Sequence, residues 1–287
     1  MHVSQAGGTP GGETSLRIVA ERIACGPPIA IGTRKVSYSG LVDTWLVFWV
    51  ALLTALATGL GALPVLFLKH SEPRWRGIAA ATASGMMLSA SVFALADEAL
   101  SRGDAVEVVA GMLAGAVFFS WTSRKIDERG WTFEGWNSRS SKQAILLLLT
   151  LFVHSIPEGA AIGVGYATGE IKFGWLLAVA IAVHNIPEGT AVSLPLRANG
   201  ASIGTCIWYS ILTSMPQPIV AVPAFLLVSV FQPLLPASLG FAGGAMIFLV
   251  IQELLPESFE YSSPTEAAWG VTIGLVGMLG FIAAIGL

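Results

Sequence analysis

Residues 144–196 read AILLLLTLFVHSIPEGAAIGVGYATGEIKFGWLLAVAIAVHNIPEGTAVSLPL, and within that run the six letters HSIPEG (154–159) return as HNIPEG (184–189). Outside the two motifs its only charged residues are Glu170 and Lys172, where a short polar step interrupts the apolar letters. Each half is long enough to cross the roughly 30 Å hydrocarbon core, for which a helix needs about 20 apolar residues. The short step makes the halves antiparallel neighbours. Each places a histidine and a glutamate about 15 Å deep at 1.5 Å rise per residue, close to mid-bilayer.

The rest of the chain agrees with a membrane setting. Of 287 residues, 54% are apolar and 11% charged, and the mean hydropathy is +0.72, far from an ordinary soluble domain. Eight apolar segments stand out, at 45–68, 77–96, 106–123, 143–168, 173–196, 201–231, 236–251 with an extension to about 257, and 267–287. The expected fold is an all-α integral membrane protein, a bundle of eight transmembrane helices over residues 41–287, with a metal site between helices 4 and 5. Gly111/Gly115, Gly159/Gly163 and Gly240/Gly244 read as small-residue contacts between helices, the usual packing device in lipid.

Nine Lys and Arg follow the odd-numbered segments one, three and five, whereas only Arg102 and Lys172 fall in the loops on the other side. That bias makes the nine-charge side cytoplasmic, gives a cytoplasmic loop at about 124–142, and puts both termini on the non-cytoplasmic side. Residues 1–40, rich in Gly, Pro, Ser and Thr and lacking an apolar signal region, read as a flexible non-membrane tail, external or processed. Cys25 and Cys206 form no metal-binding or disulfide pattern. The bilayer is a partner and nucleic acid is not; a homodimer is left open.

Spaced four apart, His154 and Glu158 share one helical face, as do His184 and Glu188, so the two helices can present all four to one another. A charged side chain at mid-bilayer costs about 3 kcal/mol even on the lenient insertion scale. No Lys or Arg lies in any expected segment to balance it. The countercharge is then a proton or a bound cation, and two carboxylates with two imidazoles suit Zn²⁺ or a similar divalent ion. Pro157 and Pro187 free the carbonyls of Val153 and Val183, irregularity that suits a cavity rather than lipid. A single copy would read equally well as a histidine bonded to a neighbouring helix; two copies at matched depth argue for a site. Ser155 and Asn185 either approach the ion or bond across the helix pair.

On HSIPEG, HNIPEG, GMMLSAS (85–91) and GAMIFLVIQELLPES (244–258), the chain resembles the ZIP family of divalent metal-ion transporters, in its GufA-like branch, from about residue 41 to 287. The resemblance implies an eight-helix bundle with both termini outside, and gated or alternating access to a site between helices 4 and 5. It carries the ligand set to His154, Glu158, His184 and Glu188, and adds Met87, for which a plain packing role is the alternative. Family members with a two-metal centre carry a glutamate where TSMPQP gives Gln217, an asparagine where Ser155 stands, and a carboxylate where Asn185 stands. Gln252 replaces a histidine beside Glu253. The 124–142 loop lacks the histidines that many members hold there.

The expected function is transport of Zn²⁺, or of Fe²⁺, Mn²⁺, Co²⁺ or Cd²⁺, toward the cytoplasm, with no resident cofactor and no enzymatic activity. An intramembrane metallohydrolase and a non-conducting metal sensor are the alternatives; no HExxH motif or spare base favours the former. Asp97, Glu98, Asp104 and Glu107 read as a cation-attracting entrance or as an ordinary solvated loop. Gln252, Glu253 and Glu257 read as an exit route, with the two glutamates one turn apart on one face. Because Asn185 and Gln217 are neutral, one tightly bound ion per chain is expected, any second being under-neutralised. Two imidazoles, which ligate only when neutral and titrate near 6.5 when unperturbed, make metal compete with protons in acid.

Overall fold

The computed structural model describes residues 40–67, 73–129 and 139–286. The tail at 1–40 and the centre of the 124–142 loop therefore lie outside the described residues. Eight helices follow in order: α1, Gly40–Thr58 with 3₁₀ turns to Leu66; α2, Pro73–Arg102; α3, Ala105–Arg129; α4, Arg139–Ala167. Then come α5, Ile171–Ala198; α6, Ile203–Val230; α7, Gln232–Tyr261; and α8, Pro264–Gly286. Seven are long and apolar enough to cross a membrane among the described residues, and α4, which carries the first motif, is 29 residues long. The protein is a multi-pass integral membrane protein.

Two turns fix the arrangement of α4 to α6. Gly169 ends α4 at φ +80°, its N–H on the Tyr166 carbonyl, and the chain re-enters a helix two residues later. Gly200 ends α5 at φ +86°, with the Ala201 N–H reaching back to the Leu196 carbonyl. A left-handed residue closes a helix end in this way at no cost when it has no Cβ.

Long helix pairs carry the packing: α3 lies along α7, α2 along α8 and α4 along α6, while α5 touches α1, α2 and α4. The glycines expected at contacts are found there. A Cβ at Gly111 or Gly115 would meet the α7 backbone at Ala237 or Phe241, and one at Gly240 or Gly244 the α3 backbone at Val108 or Met112. Both motif glycines serve likewise: Gly159 faces the backbone of Gln217 on α6, and Gly189 the Thr58 carbonyl of α1. Most of α5 is buried, whereas α3 and α8 turn most of their surface outward, toward lipid.

Three helices are not regular throughout. In α6 the first half stops at Ser214 and a second starts at Pro216, since Pro216 and Pro218 lack the N–H groups that would continue the ladder. Both α2 and α7 contain a π turn, at Ser91–Ala96 and Val250–Leu254. The start of α2 also differs from the expected residue 77: the helix begins at Pro73, so Arg74 and Arg76 lie on it.

Candidate metal centre

His154 and His184 fall near the middle of α4 and α5, as expected for antiparallel helices joined by a short turn. Proline at 157 and 187 is accommodated inside each helix. Glu158, His184 and Glu188 converge, each offering a ligand atom within 4.8 Å of the others, and all three are buried. Two carboxylates at that separation repel by roughly 3 to 4 kcal/mol at an effective dielectric constant near 20. A divalent cation accepting both, together with an imidazole, removes that repulsion and satisfies the donor preferences of Zn²⁺.

Hydrogen bonds already set part of this geometry. His184 Nε2 lies 3.0 Å from Glu158 Oε1. A carboxylate only accepts, so Nε2 donates and the lone pair of Nδ1, which has no partner among the described residues, stays available. Gln217 Nε2 donates to Glu158 Oε2 at 2.7 Å. Asn185 Nδ2 donates to the Thr54 carbonyl of α1 at 2.9 Å, while Asn185 Oδ1 and Glu188 Oε2 have no hydrogen-bond partner among the described residues.

The other copy of the motif is placed differently. His154 is buried but stands outside the converging group; its ring lies 5.6 Å from that of Phe119 on α3, at 49°. Neither of its nitrogens, nor the Ser155 hydroxyl, has a hydrogen-bond partner among the described residues. Unpaired buried polar groups of this kind cost about 1 to 3 kcal/mol each. Met87 is buried on α2, its carbonyl accepting from the Ser91 hydroxyl at 2.8 Å where the π turn begins.

With this geometry in view, the family comparison is direct. The profile described as "ZIP Zinc transporter" matches residues 134–283, just over half the chain. The chain belongs to the ZIP family. A protein of Arabidopsis thaliana named as a zinc transporter is 40% identical over 254 residues, covering 87% of this chain and 40% of its own length. Zinc transporter GufA of Myxococcus xanthus is 40% identical over 49% of this chain and 55% of its own. Human zinc transporter ZIP11 is 38% identical over 51% of this chain and 45% of its own. This ZIP chain thus spans about half the length of the relatives it matches, or less.

The acidic residues away from the centre of this ZIP protein have their own partners. Glu253 accepts from the Ser123 hydroxyl of α3 at 2.7 Å and from Gln252 Nε2 at 3.0 Å. Glu257 instead pairs with Arg76 of α2 at 2.6 Å, and the Arg76 guanidinium lies 4.1 Å from the Tyr261 ring centroid. The two glutamates thus have different partners, Ser123 and Gln252 for Glu253 and Arg76 for Glu257. At the other end of the bundle, Glu98 pairs with Arg102, which also reaches Glu170 at 2.8 Å, so one of the four acids Asp97, Glu98, Asp104 and Glu107 is neutralised.

Sequence reasoning missed Thr54, whose hydroxyl lies 2.7 Å from Gln217 Oε1, and Arg76. For Arg76 the signal was present. A cation three residues past Pro73, at the N-terminal edge of an apolar run, is within reach of an acid on a neighbouring span. Thr54 carried no comparable signal, since a lone threonine in an apolar helix has many uses.

Proposed function

We propose that this protein carries Zn²⁺, or a related divalent transition-metal ion, across the bilayer toward the cytoplasm. The observation that supports this most is the buried convergence of Glu158, His184 and Glu188 at the middle of two spanning helices. The ion is the cargo. Glu158 and Glu188 neutralise it, and His184 supplies the nitrogen. His154, whose two nitrogens have no hydrogen-bond partner among the described residues, and Met87 are the further donors that complete the shell as it changes during passage, and Ser155, Asn185 and Gln217 shape the surrounding polar wall. The Lys/Arg bias of the loops supports an orientation with both termini on the non-cytoplasmic side. Gln252, Glu253 and Glu257 offer the exit on that reading, with Arg76 competing for Glu257. Residues 41–287 form the transporting unit.

A hydrolase would need a carboxylate free to serve as base beside the metal. Of the two carboxylates at the site, Glu158 has a donor on each oxygen, from His184 and Gln217, and Glu188, whose Oε2 has no partner among the described residues, is on this reading the ion's second negative ligand rather than a base. The test is initial uptake from a panel of Zn²⁺, Fe²⁺, Mn²⁺, Co²⁺ and Cd²⁺ into proteoliposomes. Saturable Zn²⁺ uptake above that of empty vesicles is expected. Binding without uptake would support the sensor and reject the transporter.

A further inference from the structure

We infer that Gln217 is a positioning residue that limits the centre to a single ion, its amide standing on Glu158 where a second cation would otherwise be required. The inference rests on the reading of Glu158, His184 and Glu188 as the ion site and adds to it the reason for its stoichiometry.

Gln217 occupies the first turn of the second half of α6, between Pro216 and Pro218, and is fully buried. Neither proline can donate a backbone N–H, so the helix restarts here and its first side chain of any length projects toward α4. Gly159 permits the approach: a Cβ there would collide with the Gln217 backbone. Because Glu158 can only accept, the nitrogen of the Gln217 amide must be the atom that faces it, 2.7 Å from Oε2.

The far side of the amide is gripped from two other helices. Thr54 Oγ1 on α1 lies 2.7 Å from Gln217 Oε1, and Asn185 Nδ2 on α5 lies 3.5 Å from the same oxygen while donating at 2.9 Å to the Thr54 carbonyl. Turning the amide over would set its nitrogen against the Asn185 donor and its oxygen against a carboxylate. The single Thr54 hydroxyl proton has two acceptors at 2.7 Å, Gln217 Oε1 and the Ala51 carbonyl, so the orientation is set by the Glu158 acceptor on α4 and the Asn185 donor on α5.

The consequence for Glu158 follows. Oε1 holds His184 and Oε2 holds Gln217, so the carboxylate is fixed in place by two neutral donors and presents its remaining lone pairs to one side. A neutral amide stabilises that anion without adding charge. A glutamate at 217 would bring a second carboxylate to within hydrogen-bonding distance of the first, an arrangement that persists only with a proton or a cation between them.

The test is equilibrium dialysis of the purified full-length protein against Zn²⁺ with metal analysis, alongside Co²⁺ absorption spectra of the same preparations. The unmodified chain should hold one tight ion and Q217E two. Q217M, which keeps the volume but not the donor, should hold one ion about tenfold more weakly, with a shifted Co²⁺ spectrum, the scale of effect that outer partners of metal ligands have. Should Q217E fail to fold, T54V carries the test, loosening the grip on the amide and shifting the Co²⁺ spectrum in the direction of Q217M. One ion in folded Q217E, two tight ions in the unmodified chain, or an unchanged affinity and spectrum in both Q217M and T54V, would overturn the inference. An unmodified chain that binds no Zn²⁺ would instead reject the site itself.

Discussion

The two copies of the motif differ by one letter and by almost everything around them. On α5, His184 is tied to Glu158 and Asn185 to the Thr54 carbonyl, so the copy is held on two sides by α4 and α1. On α4, His154 faces the Phe119 ring, and neither its nitrogens nor the Ser155 hydroxyl has a hydrogen-bond partner among the described residues. Equal spacing within a helix says which side chains share a face. It does not say what that face meets, which depends on the neighbouring helices. One copy is therefore pre-organised before an ion arrives, and the other has donors to offer when it does.

The largest effect should come from the glutamates, and it should differ in kind. E158Q and E188Q each remove charge from the converging Glu158–His184–Glu188 group, and Zn²⁺ uptake into proteoliposomes should fall to the level of empty vesicles in each. E158Q should also cost about 1 to 3 kcal/mol of stability, because its amide offers one acceptor to two donors, His184 and Gln217. E188Q, which leaves both bonds intact, should melt at the temperature of the unmodified protein. Equal melting of the two variants would show that the network around Glu158 is not what holds it.

An intermediate effect is expected at the histidines. H184A takes away both a ligand and the donor on Glu158, and Zn²⁺ affinity measured by competition with a chelator should drop roughly a hundredfold; H154A should lose roughly tenfold. Matching losses would mean that His154 swings from Phe119 into the group when the ion binds, making the copies equivalent in the loaded state.

Smallest are the residues that follow the histidines. N185A removes the hydrogen bond from α5 to the Thr54 carbonyl of α1 and should lower thermal stability in detergent by about 1 kcal/mol. S155A removes a hydroxyl with no partner among the described residues and should change it by less than about 0.5 kcal/mol. A larger loss in S155A would place a partner on Ser155 and erase this part of the contrast.

What the sequence revealed and what it hid divide along the same line. Spans, helix pairing through glycine and the depth of the motifs all follow from apolar length and from letters four apart, which are local. The pairing of Glu257 with Arg76, the π turns of α2 and α7, and the facing of Gln217 onto Glu158 depend on which helix lies beside which. Gln217 is the instructive case. By resemblance it marked a position where charge is missing; only the packing of α4 against α6 shows that its amide meets a carboxylate. Arg76 counts in the sequence with the loop cations just before the apolar segment at 77–96, whereas it lies on the helix that begins at Pro73 and faces Glu257.

The position of the converging group half-way along α4 and α5 has an electrical meaning. A doubly charged ion that moves from one face to the middle of the membrane crosses about half of any voltage across it, and one elementary charge crossing all of 100 mV gains about 2.3 kcal/mol. Two charges over half the drop gain the same amount, which is roughly a fiftyfold change in occupancy. For an ion entering from the positive side, the membrane itself would load the site. Apparent affinity in proteoliposomes should then follow the imposed potential, at concentrations where detergent-solubilised protein, feeling no voltage, remains mostly empty.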